Sequence, residues 1–130
     1  MSVYIDSNAF TAWEKGDFDL PSWLAARPDE PIAFPPTVWQ ELTFGKFAWD
    51  KPRADKRARF LAAVAQIPVI EFGKAHAERA ARLAAELRKE TIGLADFQIA
   101  ACALEDNAEL LTLNLEHFKR IQGLKLAKTA

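Results

Sequence analysis

Short apolar segments alternate with helical segments along this chain, and that alternation constrains the fold more than any other feature. The candidate strands are residues 2–5, 31–34, 67–72, 108–113 and, at one edge, 124–127. These segments are too short and too apolar to be half-exposed strands of an antiparallel meander. The alternation therefore predicts an α/β fold of three layers, in which a short central sheet of four to five mostly parallel strands is flanked by helices.

The segments between these strands carry helix signals. Helices are predicted over residues 9–16, 20–28, 37–49, 52–66, 74–90 and 93–106, with a turn or short helix at 114–118. In the third helix, Glu41 follows Val38 by three residues and directly precedes Leu42, which places its carboxylate on the apolar stripe. The predicted inner face of the fourth helix comprises Phe60, Leu61, Val64 and Ala65.

Composition narrows the class of protein. The 130 residues suit a single domain over 1–130, and the balance of 50% apolar and 27% charged residues excludes a disordered chain. The only cysteine, Cys102, cannot form an internal disulfide and falls in an apolar helix, which favours a packing role in a reducing compartment. We find no signal peptide and no apolar run of about 18 residues, so we expect a cytoplasmic protein without a membrane span.

Charge is distributed unevenly along the chain. The net charge of −1 provides no global basic field that would attract nucleic acid. Between Lys46 and Arg59, however, six basic residues occur with only two acidic ones. Two interpretations of this stretch remain open, a solvated helix face and an edge that contacts phosphate groups.

Three acidic residues lie in apolar surroundings, where a lone charge costs free energy. Asp6 ends the first strand, Glu41 lies on a helix face, and Asp96 opens the helix DFQIAACAL. Three such carboxylates would repel one another if they met without a cation. A divalent cation such as Mg²⁺ removes the repulsion and also contacts phosphate oxygens. Each acid has a structural alternative: Asp6 could be a helix N-cap, Glu41 an acid at the edge of a helix face, and Asp96 a first-turn acid that the helix dipole favours.

Functional groups of a parallel sheet collect beyond the carboxyl ends of its strands. Asp6 follows the first predicted strand, and Asn114 follows the strand at 108–113. Asn114 could equally be an ordinary turn or cap residue. The residue types alone leave these alternatives open.

Four motifs in order give the chain a specific resemblance to a known family. They are IDSNAF at 5–10, TVWQELTFG at 37–45, IGLADFQIAACAL at 92–104 and LLTLNLEHF at 110–118. With an acid in each of the first three, and Leu-Leu-Thr followed by Phe in the fourth, the chain resembles PIN-domain ribonucleases of the VapC toxin type. The resemblance runs from residue 2 to about residue 126.

The resemblance implies a single nuclease domain whose three core acidic positions are Asp6, Glu41 and Asp96. These residues are expected to bind Mg²⁺ or Mn²⁺ and to act in catalysis. Asn114 falls on the fourth catalytic position, which is often Asp in the family. The site then has a formal charge of −3 rather than −4, from three carboxylates and one amide, which favours one tightly held metal ion.

Three further polar residues of the motifs, Ser7, Asn8 and Thr112, are candidates for supporting roles. Ser7 replaces a common Thr and keeps the hydroxyl, and together with Asn8 it is predicted to shape the turn that aims the first acid. Thr112 matches the strand-end Thr of the family and is predicted to hold the following turn or a water molecule. We expect the two histidines, His76 and His117, to be peripheral.

The resemblance also implies partners. The chain is expected to hydrolyse RNA phosphodiester bonds with metal assistance, to pair with a small VapB-like antitoxin, and to form a homodimer. Most aromatic residues of the N-terminal half are expected in the core, and some are predicted to line an apolar antitoxin groove: Trp39, Phe44, Phe47 and Trp49. Scattered basic residues are predicted to contact RNA: Lys46, Lys51, Arg53 and Arg88.

Two other functions compete with this interpretation. An aspartyl phosphatase of the haloacid dehalogenase type also places Asp at the end of the first strand. That chemistry usually needs a second Asp two residues later, where this chain has Asn8. The other alternative is a PIN fold retained as a protein- or RNA-binding module without catalysis, which only Asn114 favours because the three core acids are present.

Overall fold

The computed structural model describes all 130 residues and has a four-stranded parallel sheet at its centre. The strands are β1 (Val3–Ile5), β2 (Ile32–Ala33), β3 (Glu109–Leu111) and β4 (Lys125–Leu126), in the order β2-β1-β3-β4. Val3 lies opposite Ile32 on one side and Glu109 on the other, and Ile5 lies opposite Leu111. The predicted α/β fold is confirmed, and the carboxyl ends of β1 and β3 meet at one edge of the sheet.

Seven helices connect and flank these strands. They are α1 (Ser7–Glu14), α2 (Leu20–Ala25), α3 (Pro36–Ala48), α4 (Lys51–Ala63), α5 (Lys74–Glu86), α6 (Leu94–Glu105) and α7 (Leu115–Phe118). Proline occupies the first turn of α2, α3 and α4, where a missing backbone N–H leaves no partner unsatisfied. Gly16 follows α1 with a φ of 82°, a conformation that glycine adopts without steric cost. No helix has the length and apolar character needed to cross a membrane.

The strand predicted at 67–72 is wrong, because this segment pairs with the sheet at a single residue. Phe34 donates its N–H to the Pro68 carbonyl at 2.9 Å and accepts from the Ile70 N–H at 3.0 Å, which forms one parallel bridge to Val69. The next hydrogen bonds on either side would need the N–H groups of Pro36 and Pro68. Proline has no N–H, so the ladder stops in both directions after one bridge.

One apolar core of 28 buried residues contains the strands and the inward faces of the helices. Cys102 belongs to it, as its apolar surroundings in the sequence indicated. Only three buried residues are polar or charged, namely Asp6, Arg57 and Thr112. Two of these three lie at the carboxyl ends of adjacent strands, so the fold concentrates its buried polarity at one edge of the sheet.

The inner face of α4 differs from the prediction because it includes a charged residue. Leu61 and Val64 are buried as expected, but Ala65 is exposed and Arg57 is only 4% exposed. Two nitrogens of Arg57 donate to the Glu14 carboxylate at 2.6 and 2.7 Å, and a third donates to the Leu42 carbonyl at 2.9 Å. The guanidinium group therefore joins α1, α3 and α4, and Arg57 is neither on a solvated face nor on a phosphate-contacting edge.

Candidate active site

Asp6 and Thr112 lie side by side beyond the carboxyl ends of β1 and β3. The Asp6 N–H donates to the Leu111 carbonyl at 2.9 Å, which continues the strand pairing by one residue. The Thr112 hydroxyl donates to Asp6 Oδ2 at 2.8 Å, and the Ser7 N–H donates to Asp6 Oδ1 at 2.8 Å. Each carboxylate oxygen thus has its own donor, which fixes the orientation of a side chain that is only 3% exposed.

Asn8 ties the loop after β1 to the loop after β3. Its Oδ1 accepts from the Leu113 N–H at 3.0 Å and lies 3.2 Å from the Thr112 hydroxyl oxygen. That hydroxyl oxygen in turn accepts from the Asn114 N–H at 3.0 Å, which holds the turn into α7. The Asn114 side chain is exposed and makes no capping hydrogen bond, so its amide oxygen is available to a ligand.

Helix α3 brings Glu41 to the same edge. The Ser7 hydroxyl donates to Glu41 Oε2 at 3.2 Å, so Ser7 bridges two of the three acids through its hydroxyl and its N–H. Glu41 is exposed, whereas Val38 and Leu42 of the same helix are buried. The prediction that Glu41 shares the apolar stripe is wrong. Successive side chains of a helix point in directions about 100° apart. Glu41, next to Leu42 in sequence, therefore lies beside the apolar stripe rather than within it.

The third acid, Asp96, lies in the first turn of α6 and contacts a histidine that we expected to be peripheral. His117 Nε2 lies 2.7 Å from Asp96 Oδ2, with 19% and 32% of the two side chains exposed. The contact lacks hydrogen-bond alignment, and the buried Nε2 has no other partner. The expectation for His117 is therefore wrong. Its spacing of three residues from Asn114, one helical turn away, was a sequence signal for its position.

His76 fits the expectation better. Its Nε2 lies 2.8 Å from Asp106 Oδ1, beyond the C-terminal end of α6 and therefore at the opposite end of that helix from Asp96. Nothing in the structure connects His76 to the three acids.

The three carboxylates influence one another's protonation. Burial raises the pKa of Asp6 to about 6, the charges of Asp96 and Glu41 act in the same direction, and the hydrogen bonds from Thr112 and Ser7 oppose them. Burial also raises the pKa of Glu41, with a smaller contribution from Asp96 and an opposing hydrogen bond from Ser7. The acids therefore form one electrostatically coupled group, in which a bound cation would relieve the repulsion.

The chemistry of this group fits a hard divalent cation that is bound partly through water. Carboxylate and amide oxygens are the ligands that Mg²⁺ and Mn²⁺ prefer. No three His, Cys, Asp or Glu side chains form a ready cage for a metal ion. Mg²⁺ commonly binds through one or two carboxylates and keeps several waters, so such a cage is not required. The residues that could hold the cation are Asp6, Glu41 and Asp96, with Asn114 beside them.

Comparison with known proteins decides the family. The sequence model of the PIN domain matches residues 3–124. The chain belongs to the PIN domain family. The ribonuclease VapC1 of Rickettsia felis is 32% identical over 97% of this chain and 95% of its own length. The ribonuclease VapC10 of Mycobacterium tuberculosis is 30% identical over 95% of this chain and 90% of its own length. This PIN domain is of the VapC type, as the four sequence motifs predicted.

Solved structures share the fold of this PIN domain. VapBC2 of Rickettsia felis, bound to a DNA fragment of its promoter, gives a TM-score of 0.84 at 24% identity, with 98% of each chain covered. DNA-bound VapBC of Salmonella typhimurium gives 0.85 at 17% identity, with 100% of this chain and 99% of the other covered. VapBC-5 of Mycobacterium tuberculosis, described as a toxin–antitoxin system, gives 0.74 at 22% identity, with 96% and 94% covered. At these identities the likeness establishes the fold.

The four aromatic residues predicted to line an antitoxin groove do not share one surface of the PIN domain. Phe44 and Phe47 are 63% and 79% exposed on α3. Trp39 is half-buried, with its ring centroid 5.4 Å from that of Phe34. Trp49 is half-buried just beyond the C-terminal end of α3. The two phenylalanines remain candidates for a partner surface, whereas the two tryptophans take part in packing.

The four basic residues predicted to contact RNA are also dispersed over the PIN domain. Arg88 lies beyond α5, where it donates to a backbone carbonyl of that helix at 2.7 Å. Lys51 forms an exposed ion pair within α4, and Lys46 is exposed near the end of α3. Arg53 lines a cleft together with other basic side chains. The prediction therefore identified one member of a basic cleft and three residues that lie elsewhere.

Proposed function

We propose that this PIN domain is a metal-dependent endoribonuclease toxin that hydrolyses RNA phosphodiester bonds and is neutralised by a VapB-like antitoxin in the cytoplasm. The observation that carries the proposal is the coupled group of Asp6, Glu41 and Asp96 at the carboxyl edge of β1 and β3. The similarity to two ribonucleases named VapC supports the reaction and the substrate class.

In this proposal the chain's own residues hold the reacting groups. When bound, Mg²⁺ or Mn²⁺ supplies a water of lowered pKa and stabilises charge on the phosphoryl oxygens. Asp6, fixed by Ser7 and Thr112, provides a carboxylate of constant orientation at the centre of the site. Glu41 Oε1 is free of hydrogen bonds and open to solvent, so it can accept the proton that an attacking water loses. Asn114 offers a neutral amide oxygen that can orient a water without adding charge.

The antitoxin surface in this proposal is the exposed pair Phe44 and Phe47. These side chains follow Glu41 by three and six residues on α3, and Phe44 lines a shallow cleft together with Glu41. Burying an exposed phenylalanine contributes roughly 1.5–3 kcal/mol, and a segment that covers this pair would also lie near the acid site. The solved VapBC structures with the same fold support a protein partner, and we further propose a homodimer from the family resemblance.

Incubation of an RNA pool with the purified domain tests the reaction. We expect cleavage that requires Mg²⁺ or Mn²⁺ and stops when EDTA is added. Asp6→Asn should reduce the cleavage rate by at least about 100-fold, because it removes the central carboxylate. Asp17→Asn is the matched control, since Asp17 is an exposed acid beyond the opposite end of α1 and should keep the wild-type rate.

Two outcomes would contradict the nuclease proposal. The first is cleavage by Asp6→Asn at the wild-type rate with Mg²⁺ present. The second is binding of RNA by the wild-type domain without any metal-dependent cleavage, which would favour the binding-module alternative that Asn114 left open.

A further inference from the structure

A second cleft lies between the C-terminal half of α1 and the helix α4. It is lined by Thr11, Glu14 and Lys15 at the C-terminal end of α1, by Trp49 before α4, and by Arg53, Lys56 and Arg57 of α4. The acids of the proposed active site are at the other end of α1, so this cleft is a separate feature of the surface. Its lining is basic, although the protein as a whole has a net charge of −1.

Three positive charges in this cleft have no acidic partner. The charge of Arg57 is neutralised by the carboxylate of Glu14, to which it donates two hydrogen bonds. Lys15, Arg53 and Lys56 take part in none of the ion pairs of the structure. Because the Glu14 carboxylate is already paired with Arg57, no acidic side chain of the cleft neutralises these three charges, and the cleft attracts anions.

The cleft can hold a charged group but offers no platform for a nucleobase. The guanidinium groups of Arg53 and Arg57 lie 4.2 and 4.5 Å from the ring centroid of Trp49. The same ring packs against Gly45 so closely that a Cβ atom there would lie 2.7 Å from it. Trp49 therefore has no free face on which a base could stack. One guanidinium and two ammonium groups remain, and these bind phosphate oxygens through charge-assisted hydrogen bonds.

One face of α1 connects the cleft with the acid site. Ser7, Thr11 and Lys15 are spaced by four residues and therefore follow one another along the same side of the helix. Ser7 bonds to Asp6 and Glu41 in the acid site, while Thr11 and Lys15 line the cleft. At 1.5 Å per residue this polar stripe is about 12 Å long, a distance that a few nucleotides of single strand can span.

We propose that this cleft binds a backbone phosphate of the RNA strand, a few nucleotides away from the bond that is cleaved at the acid site. The inference rests on the proposed ribonuclease function. Phosphates recur along an RNA strand, so one strand lying on the polar stripe places one phosphate at the acids and another among the three cations. An acidic protein segment would match the charge of the cleft, but it would not account for a polar stripe that leads to the acid site.

Binding of a fluorescein-labelled single-stranded RNA, measured by anisotropy at several salt concentrations in EDTA, tests the cleft. The double variant Arg53→Gln, Lys56→Gln is compared with the wild-type domain. The double variant removes two of the three cations around one phosphate. The log–log salt slope of single-strand binding falls by about 0.7 for each phosphate that is no longer neutralised, so the slope should become shallower by up to about 0.7. The dissociation constant in low salt should rise roughly tenfold.

The controls separate the cleft from net charge and from folding. Lys74→Gln with Arg82→Gln makes the same charge change with exposed, unpaired residues of α5, and it should leave the slope unchanged. Lys15→Gln with Lys56→Gln leaves the contact between Arg53 and the tryptophan ring intact and should also give a shallower slope. Thermal melts confirm that each variant is folded.

The outcomes are distinguishable from failure of the nuclease proposal, because binding is measured without metal on RNA that is shown to be intact by gel. An unchanged salt slope in both cleft variants overturns the inference. It is also overturned if a poly-glutamate peptide displaces the RNA from the wild-type domain and loses its binding in Arg53→Gln, Lys56→Gln, since the occupant would then be an acidic protein segment.

Discussion

Helix α6 has an aspartate–histidine contact at each end. The polar atoms of one contact are all hydrogen-bonded, whereas those of the other are not. Beyond its C-terminal end, Asp106 Oδ2 accepts from the Tyr4 hydroxyl at 2.5 Å, and Asp106 Oδ1 lies 2.8 Å from His76 Nε2. His76 Nδ1 accepts from the Gly73 N–H at 3.0 Å, so its proton is on Nε2, which donates to Asp106. Every polar atom of this cluster has a partner.

The contact at the N-terminal end of α6 is incomplete. His117 Nε2 approaches Asp96 Oδ2 to 2.7 Å without hydrogen-bond alignment. The charge of Asp96 also contributes to the raised pKa of Asp6 and of Glu41, so it disfavours their ionised forms. A fully bonded polar network stabilises a fold, whereas an incompletely bonded, repulsive one is retained where a ligand completes it. The comparison indicates that one end of α6 anchors the helix and the other end serves the site.

Replacing Asp96 or Asp106 by asparagine should give the largest difference between the two ends of α6, because one change should affect cleavage and the other stability. Asp96→Asn removes one of the three coupled charges, and we expect RNA cleavage to fall by at least about 100-fold with no loss of stability. Asp106→Asn places an amide between two donors and should lower the free energy of unfolding by about 1–3 kcal/mol, while cleavage per folded molecule is kept. Cleavage assays and urea unfolding measure both quantities, and the reverse pattern would show that the two ends have been assigned the wrong way round.

Asp6→Asn should reveal how much stability the acid site costs. The folded pKa of Asp6 is about 6 and its ordinary value is 3.8, so the folded state binds this proton more tightly than the unfolded state. The ionised carboxylate therefore contributes no destabilisation below about pH 4 and its full destabilisation above about pH 6. In EDTA the free energy of unfolding of the variant should match that of the wild type near pH 4 and exceed it by on the order of 3 kcal/mol at pH 8.

Asparagine at position 6 can keep the hydrogen bonds that Asp6 makes, so the variant and the wild type differ mainly in charge. An asparagine there can accept from the Ser7 N–H and donate to the Thr112 hydroxyl oxygen, and the hydroxyl hydrogen can turn to Asn8 Oδ1, 3.2 Å away. Urea unfolding at a series of pH values measures the difference between variant and wild type. A constant difference from pH 4 to pH 8 would show that ionisation of Asp6 does not cause it.

The two histidines should differ in what their removal affects. His117→Ala removes the side chain that contacts Asp96, and we expect kcat/KM for RNA to fall roughly tenfold, the usual size of an effect on a partner of a metal ligand, the role proposed for Asp96. His117→Gln can present an amide N–H to Asp96 and should recover part of the loss. His76→Ala should leave kcat/KM unchanged and lower the melting temperature, and equal effects of the two alanine variants on cleavage would argue against the comparison.

Tyr4→Phe should give the smallest effect. Burial and the neighbouring Asp106 raise the pKa of the Tyr4 hydroxyl above its usual range, so it remains a proton donor at every pH at which the domain is studied. Loss of this hydrogen bond should lower the free energy of unfolding by about 1 kcal/mol without changing cleavage. Urea unfolding checks the size, and an altered cleavage rate at full folding would link this end of α6 to the site.

Local sequence signals were sufficient for much of the fold. The alternation of apolar segments and helical patterns predicted the parallel sheet, and the helix predicted at 74–90 is present as α5, although it ends at Glu86. Asp6 was placed correctly at the end of β1 because a carboxylate after an apolar run is visible in the sequence itself. These features depend on residues that are neighbours along the chain.

The errors concern residues whose environment is set by distant parts of the chain. The strand at 67–72 stops in one direction because Pro36, which is far away in sequence, has no N–H to donate across the sheet, and in the other because its own Pro68 has none. Arg57 is buried because Glu14 and the Leu42 carbonyl accept its hydrogens, and nothing in the charge pattern of α4 indicates those acceptors. His117 reaches Asp96 only because α7 follows β3 at the edge where α6 begins.

The single bridge between Phe34 and Val69 also decides what can join the sheet. A long, unpaired outer strand is a template on which other chains add strands, and this is a common route to aggregation. Here the outermost segment pairs at one residue, and Pro36 and Pro68 prevent any extension of that pairing. The outermost segment on this side is therefore not a regular strand, and it offers another chain a poor template for strand addition.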